Sequence, residues 1–313
     1  VLALMVKSGS RGWNLFTAGG AKYEQVFKAR LAQQQATWGY LTVSSDLVIG
    51  TFIGAETPAN EGKAVFALNK NDGSLRWVYQ PQQQVPSTGL VFDGGTVYLM
   101  DVASPADMDR ARRRGIDPNQ KRSLIALNMS DGSVKWRQPG LPWARNHLQI
   151  SQGILLVNGA NAYDAASGKM LWQKPISSAR PPVIYKNWII AQPNAYDLRT
   201  GVKRQTSDIL TGVKRSWSYT RAYGCNAVSG CENLLFFRSG TAGFFDIHND
   251  GTANFGGMRT NCALNTVAAN GVLITPESSS GCACSYNFQT SMAFISAPPQ
   301  RDQWYIFQGG KSG

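Results

Sequence analysis

The chain has 313 residues, 43% of them hydrophobic and 16% charged, with 32 glycines and a net charge of +12. That is enough apolar residue for one large core, and no apolar run approaches the ~20 residues of a membrane helix. The lysines and arginines are scattered through turns instead of gathered beside aromatics on one face, which argues against a nucleic-acid surface. The basic balance fits an exported protein kept soluble by its surface, or one that adheres to an anionic polymer of the cell envelope.

The chain starts at Val1, without Met, inside a phrase that recurs along it. Ala3–Trp13 reads ALMVKSGSRGW, Ala67–Trp77 ALNKNDGSLRW, Ala126–Trp136 ALNMSDGSVKW, Ala162–Trp172 AYDAASGKMLW and Ala195–Gln205 AYDLRTGVKRQ. Gly stands six places after the Ala in all five, and Trp ten after in four, with Gln205 in its place in the fifth. Phe244–Phe255 is a degenerate sixth copy, with Asp246 and a Gly251 displaced by one. An apolar strand runs into a turn of Asp, Asn, Ser and Gly, where positive φ is cheap, and a second strand leaves carrying the Trp. A turn and an apolar run precede each copy after the first. Examples are Gly94-Gly95 before TVYLM, Gln152-Gly153 before ILLV and Lys186-Asn187 before WIIA. Each unit thus holds two hairpins and four antiparallel strands.

Taken in order, residues 1–20 supply strands three and four of an incomplete first unit, which suggests a piece of a longer protein, so the lack of a leader says nothing of export. Residues 21–36, AKYEQVFKARLAQQQA, predict a helix with Tyr23, Val26, Phe27 and Leu31 on one face, docked on the rim. Units follow at 37–86, 88–140, 147–178, 181–220, 223–258 and 264–308. The third carries a basic insertion, 103–122, with Arg110, Arg112, Arg113, Arg114, Lys121 and Arg122 against Asp107, Asp109 and Asp117, expected as a solvated loop or short helix. Repeats of four strands read as propeller blades. The expected fold is all-β, a single propeller over 1–313 of about seven four-stranded blades, with eight in a longer parent as the alternative.

The phrase A-x-D-x-x-[TS]-G-x-x-x-W resembles the tryptophan-docking repeat of PQQ-like (pyrroloquinoline quinone) β-propellers. The stretches GCNAVSGCENLLFFRSG and SSGCACSYNFQTSMAF are further similar to PQQ-like repeat proteins of planctomycete-type bacteria. The resemblance implies that each Trp packs between neighbouring blades. It covers quinone-dependent dehydrogenases and also cofactor-free scaffolds such as the outer-membrane assembly lipoprotein. The adjacent cysteine pair common at the quinone of such dehydrogenases is missing from this chain.

In a four-stranded blade, the loop leading into strand one and the loop joining strands two and three share a face. Cys225 and Cys262 fall in loops leading into adjacent blades, and Cys282 and Cys284 in a strand two–three connection. Two disulfides joining Cys225 and Cys262 to Cys282 and Cys284 are expected, since an i, i+2 bridge is strained, and they imply an oxidising compartment. A four-thiolate metal site is the alternative, against the usual C-x₂₋₄-C spacing, and Cys231 is read as a lone thiol on the opposite face. The same face collects Arg145, His147, Arg221, Arg259, Glu277 and Trp38, with Tyr40 beside it, a set suited to an anionic saccharide or acidic ligand. The competing reading is that these groups satisfy loop carbonyls. Two histidines, His147 and His248, make no metal cluster, and no Ser/His/Asp arrangement is recognisable.

The expected function is therefore non-catalytic: a periplasmic, cell-surface or extracellular propeller acting as scaffold or ligand-binding module for a protein or anionic polysaccharide. No cofactor, metal or nucleic acid is predicted. The alternative is an enzyme using the cysteine-bearing face, either a quinone-dependent oxidoreductase with PQQ or Ca²⁺ or a carbohydrate-active one.

Overall fold

The computed structural model describes residues 3–5, 14–16, 36–54, 61–142, 146–176, 180–208, 210–225, 227–256, 258–260, 265–276 and 291–295, with residues up to 38 and residue 54 described by backbone alone. Strands β1 (Ala3–Met5) and β2 (Asn14–Phe16) pair antiparallel. β3 (Ala36–Val43), β4 (Leu47–Gly54), β6 (Ala64–Asn69) and β7 (Leu75–Tyr79) form a sheet in that order, while β5 (Glu61–Gly62) pairs with β8 (Val85–Pro86). β9 (Leu90–Asp93), β10 (Thr96–Val102), β11 (Arg122–Asn128) and β12 (Val134–Pro139) form the next. β13 (Leu148–Ser151), β14 (Ile154–Val157), β15 (Asn161–Asp164) and β16 (Met170–Gln173) form the third four-stranded sheet. β17 (Val183–Tyr185), β18 (Trp188–Ala191) and β19 (Asn194–Asp197) make three strands, and β20 (Gln205–Ser207) and β21 (Lys214–Ser216) a separate hairpin. β22 (Ser229–Gly230), β23 (Leu234–Ser239), β24 (Thr241–Asp246) and β25 (Gly251–Asn254) follow, then β26 (Val267–Ala269), β27 (Val272–Thr275) and β28 (Met292–Ile295). The chain divides into two compact units, residues 1–175 with 199–201 and residues 176–198 with 202–313.

The period of two explains the apolar runs. Every residue of β10 is buried. Its odd members Val97 and Leu99, with Ile125 and Leu127 of β11, join Ile49, Val65 and Trp77 of the preceding sheet. Its even members Tyr98, Met100 and Val102, with Leu124 and Ala126, join Leu148, Leu155, Val157 and Tyr163 of the following one. A strand covered on both faces must be apolar at consecutive positions. Fourth strands are different: β7 and β16 are buried only at Trp77 and Trp172 respectively.

Those tryptophans reach into the next sheet. The Trp77 indole N–H donates to the Met129 carbonyl at 2.8 Å, and that of Trp136 to the Ala165 carbonyl at 3.1 Å. Each ring lies on the turn glycine of the next copy. A Cβ on Gly132 would stand 2.7 Å from the Trp77 ring, on Gly168 2.7 Å from Trp136, and on Gly201 2.9 Å from Trp172. These glycines hold φ of 74°, 71° and 65°. The repeat needs Gly for backbone and ring alike.

The unit expected to give four strands over 181–220 departs from the repeat. Its last strand is interrupted. Lys203 bridges to Tyr196, the chain leaves as hairpin β20–β21, and Ser218 returns to bridge Asn194. The hairpin closes where the Trp217 N–H donates to the Arg204 carbonyl at 2.9 Å. Trp217, not Gln205, is the buried tryptophan, packed edge-on against Trp188 and Phe245 with centroids 5.4 and 5.6 Å away.

Insertion 103–122 folds as helix α1 (Pro105–Arg113) and a 3₁₀ turn (Pro118–Lys121). Ser104 caps α1, accepting from the Asp107 N–H, and Pro stands in its first turn. Arg122 is no part of the solvated basic set in which the sequence places it. It is buried, opens β11 and donates to Asn146 Oδ1 at 2.9 Å. The helix expected at 21–36 falls outside the described residues, apart from Ala36, the first residue of β3.

Candidate functional site

The second unit holds a cavity of about 660 Å³. Three connections meet around it: Arg180–Pro181 ahead of β17, Gln192–Pro193 between β18 and β19, and Arg221–Gly224 ahead of β22, with Ile190 and Val228 as apolar wall. The peptide bond between Gln192 and Pro193 is cis.

Segment 221–224 is laid along the β23–β24 turn. Ala222 N–H donates to Ser239 Oγ at 2.9 Å, and Gly240 N–H to the Tyr223 carbonyl at 2.7 Å. A Cβ on Gly224 would stand 2.2 Å from the Arg238 carbonyl oxygen, so only glycine lets the two backbones approach this closely. Arg238 is fully buried below it. Its Nε–H donates to the Gly240 carbonyl at 3.2 Å, and its guanidinium lies 4.9 Å from the Tyr223 ring centroid, a cation–π contact. Tyr223 is thereby fixed from beneath while 59% exposed.

Two guanidiniums line the cavity, and no carboxylate is among the described lining residues. Burial lowers the Arg221 pKa from its ordinary value, and the like charge of Arg180 acts in the same direction. Arginine remains charged under such shifts. The Arg221 guanidinium also sits 5.9 Å from the Phe237 ring centroid. A concave site with two cations, an amide and an aromatic wall can grip an anion.

Of the six residues expected around a ligand, Arg221 lines this cavity. Arg259 is buried and is not among its lining residues. His147, in the first unit, is half-buried and its imidazole nitrogens find no partner among the described residues. Burial lowers its pKa. Trp38 lies in β3, described by backbone alone, and Arg145 and Glu277 lie outside the described residues. Cys225 and Cys231 are half-buried free thiols, whereas Cys262, Cys282 and Cys284 also lie outside the described residues. Sequence reasoning missed Arg180, Gln192 and Tyr223. The rule that singled out Arg221, a basic residue in a loop leading into a first strand, applies equally to Arg180 before Pro181 and Pro182.

Among the described residues no group of three or more His, Cys, Asp or Glu is placed to hold a metal, and no helix is long and apolar enough to cross a membrane.

The family model of the outer membrane protein assembly factor BamB, a PQQ-like repeat family, matches residues 1–181. The chain belongs to that family. Its fold is the all-β propeller read from the repeats, and the four-stranded sheets are its blades. Among solved structures, the computationally designed Ika8 protein is similar with a TM-score of 0.52 at 13% identity, over 83% of this chain and 71% of that one. BamB from Moraxella catarrhalis follows at 0.49 and 16%, over 82% and 72%. A quinohemoprotein alcohol dehydrogenase from Pseudomonas putida HK5 gives 0.39 and 12%, over 69% and 42%. At these identities the likeness to solved structures concerns fold alone. No curated protein matches the chain.

Proposed function

We propose that the chain is a non-catalytic, ligand-binding scaffold of the cell envelope, and that the Arg180–Arg221 cavity holds an anionic group of its partner. The observation that carries this reading is the pair of guanidiniums in a cavity with no carboxylate among its described lining residues. The family's name, an outer membrane protein assembly factor, supports an exported protein, periplasmic or at the cell surface, and a partner that is a protein or an anionic polysaccharide. Cys225 is a free thiol in the structure, and the two disulfides expected among Cys225, Cys262, Cys282 and Cys284 would form on export to an oxidising compartment. An intact mass equal to the chain less four hydrogens tests this.

The alternative, a quinone-dependent oxidoreductase, would have to work without the adjacent cysteine pair common at the quinone of such dehydrogenases, which the sequence does not have. The test of the binding reading is calorimetric titration with citrate as a generic carboxylate, comparing the natural chain with Arg180→Ala/Arg221→Ala. Binding that weakens with salt and falls at least about tenfold in the variant, without a drop in melting temperature, supports the site. A variant that melts far lower and binds citrate unchanged shows the arginines to be structural and sinks the proposal.

A further inference from the structure

We infer that the occupant of this cavity is a carboxylated saccharide, with a sugar ring against Tyr223 and its carboxylate held between Arg180 and Arg221. This rests on the anion-binding reading above and adds the class of ligand.

Three features separate a sugar acid from an acidic peptide. The first is size. At about 660 Å³ the cavity lies within the ~300–1,000 Å³ of small-molecule sites, far more than one acidic side chain fills.

The second is the aromatic wall. Tyr223 is 59% exposed, yet its position is fixed twice, by the Gly240 N–H on its carbonyl and by the buried Arg238 beneath its ring. A rigid, amphipathic ring presented to solvent beside two cations gives contact area at little entropic cost. The C–H face of a pyranose suits such a ring and the apolar wall of Pro181, Ile190 and Val228, while the Gln192 amide and the Tyr223 hydroxyl can take hydroxyl groups.

The third is the state of the strand edges. Extended peptides bind by adding to an open sheet edge. The wall residue that lies within a strand, Ile190 of β18, is paired on both sides, with Val183 of β17 and Ala195 of β19. The polar and charged lining side chains come from connections between strands. The site therefore offers side chains to a compact ligand and no ladder to a peptide.

The experiment is calorimetric titration of the purified chain with three probes: tri-galacturonate, the neutral galactose trisaccharide, and a hexaglutamate peptide. The uronate is expected to bind at least about tenfold tighter than either of the others. Arg180→Ala and Arg221→Ala should each weaken it about tenfold or more, and Tyr223→Leu similarly, with Tyr223→Phe staying within about threefold. Near-ultraviolet circular dichroism confirms that each variant is folded, and Tyr223→Phe keeps the ring test readable if Tyr223→Leu is not. If the peptide binds as tightly as the uronate and ignores Tyr223→Leu, the saccharide inference falls while the anion site stands. If none of the probes binds, both fall.

Discussion

The glycines of the docking turns show how one residue answers two demands. Gly168 has φ 71°, and a Cβ there would meet the Trp136 ring at 2.7 Å, whereas Gly153 has φ 72° with nothing within 4 Å. The pair separates backbone strain from ring contact. Gly153→Ala should cost about 1 kcal/mol from the left-handed backbone alone. Gly168→Ala should cost about 2–4 kcal/mol, because the ring must also shift. Equilibrium urea unfolding of both variants checks the difference, and equal costs would mean that the tryptophan gives way freely. His147 is a second case. Its neighbours leave the imidazole nitrogens without partners among the described residues, and burial pulls its pKa below the ordinary histidine value. The unfolded chain then binds the proton more readily, so stability is complete above the unfolded pKa of about 6.5 and declines as pH falls from there toward the lowered folded value. His147→Gln should flatten that slope in unfolding midpoints taken between pH 7 and 5.

At the scale of elements, the interrupted strand after β19 marks where the repeat was readable and where it was not. The sequence places Trp ten residues after Ala, and at Ala195 that position is Gln205. The chain supplies the missing indole twelve residues later, at Trp217, after a second copy of the turn. Thr200-Gly201-Val202-Lys203-Arg204 is repeated as Thr211-Gly212-Val213-Lys214-Arg215. The duplication was present as a signal, but a fixed spacing could not find a tryptophan displaced by a hairpin. Among the described residues hairpin β20–β21 pairs with no other strand, and Leu210 at its turn is 93% exposed. It therefore contributes little burial, and the Trp217–Arg204 hydrogen bond already closes its base. Replacing Thr206–Arg215 by Asn-Gly, a two-residue hairpin turn, should preserve the fold and leave the melting temperature within a few degrees. Trp217→Ala should cost about 3–5 kcal/mol, because it empties a core shared with Tyr219, Phe237 and Phe245. Loss of folding on shortening the hairpin would show that β20–β21 is a structural strand pair. The candidate site was legible by the same logic in part. Loop position singled out Arg221, but Tyr223 and Gln192 carry no pattern of their own, since what brings them to the cavity is the closeness of Gly224 to Arg238 and the path of the β18–β19 connection.

Across the whole molecule, a local turn motif is repeated often enough to set the response to acid. Asp131, Asp164, Asp208 and Asp246 each stand at such a turn. Each accepts side-chain and backbone hydrogen bonds, from Ser133, Ser167, Thr211 and Asn249 respectively. Those bonds favour the carboxylate and hold all four pKa values below the ordinary aspartate value. The carboxylates are exposed, so each contribution is small and screened by solvent, and it is their recurrence in both compact units that matters. The sign follows from linkage. A lowered folded pKa means that the unfolded chain takes up protons first as pH falls. The stabilisation is therefore whole above the unfolded value of about 3.9 and is lost as pH drops through the lowered folded values. Asparagine keeps an accepting oxygen at the turn but does not titrate. The expected outcome is that Asp131→Asn/Asp164→Asn is less stable than the natural chain at pH 6 and approaches it below about pH 4. Urea midpoints measured from pH 6 to 3 decide it. A gap between the two proteins that stays constant over that range would show that the turns are held by geometry and not by charge.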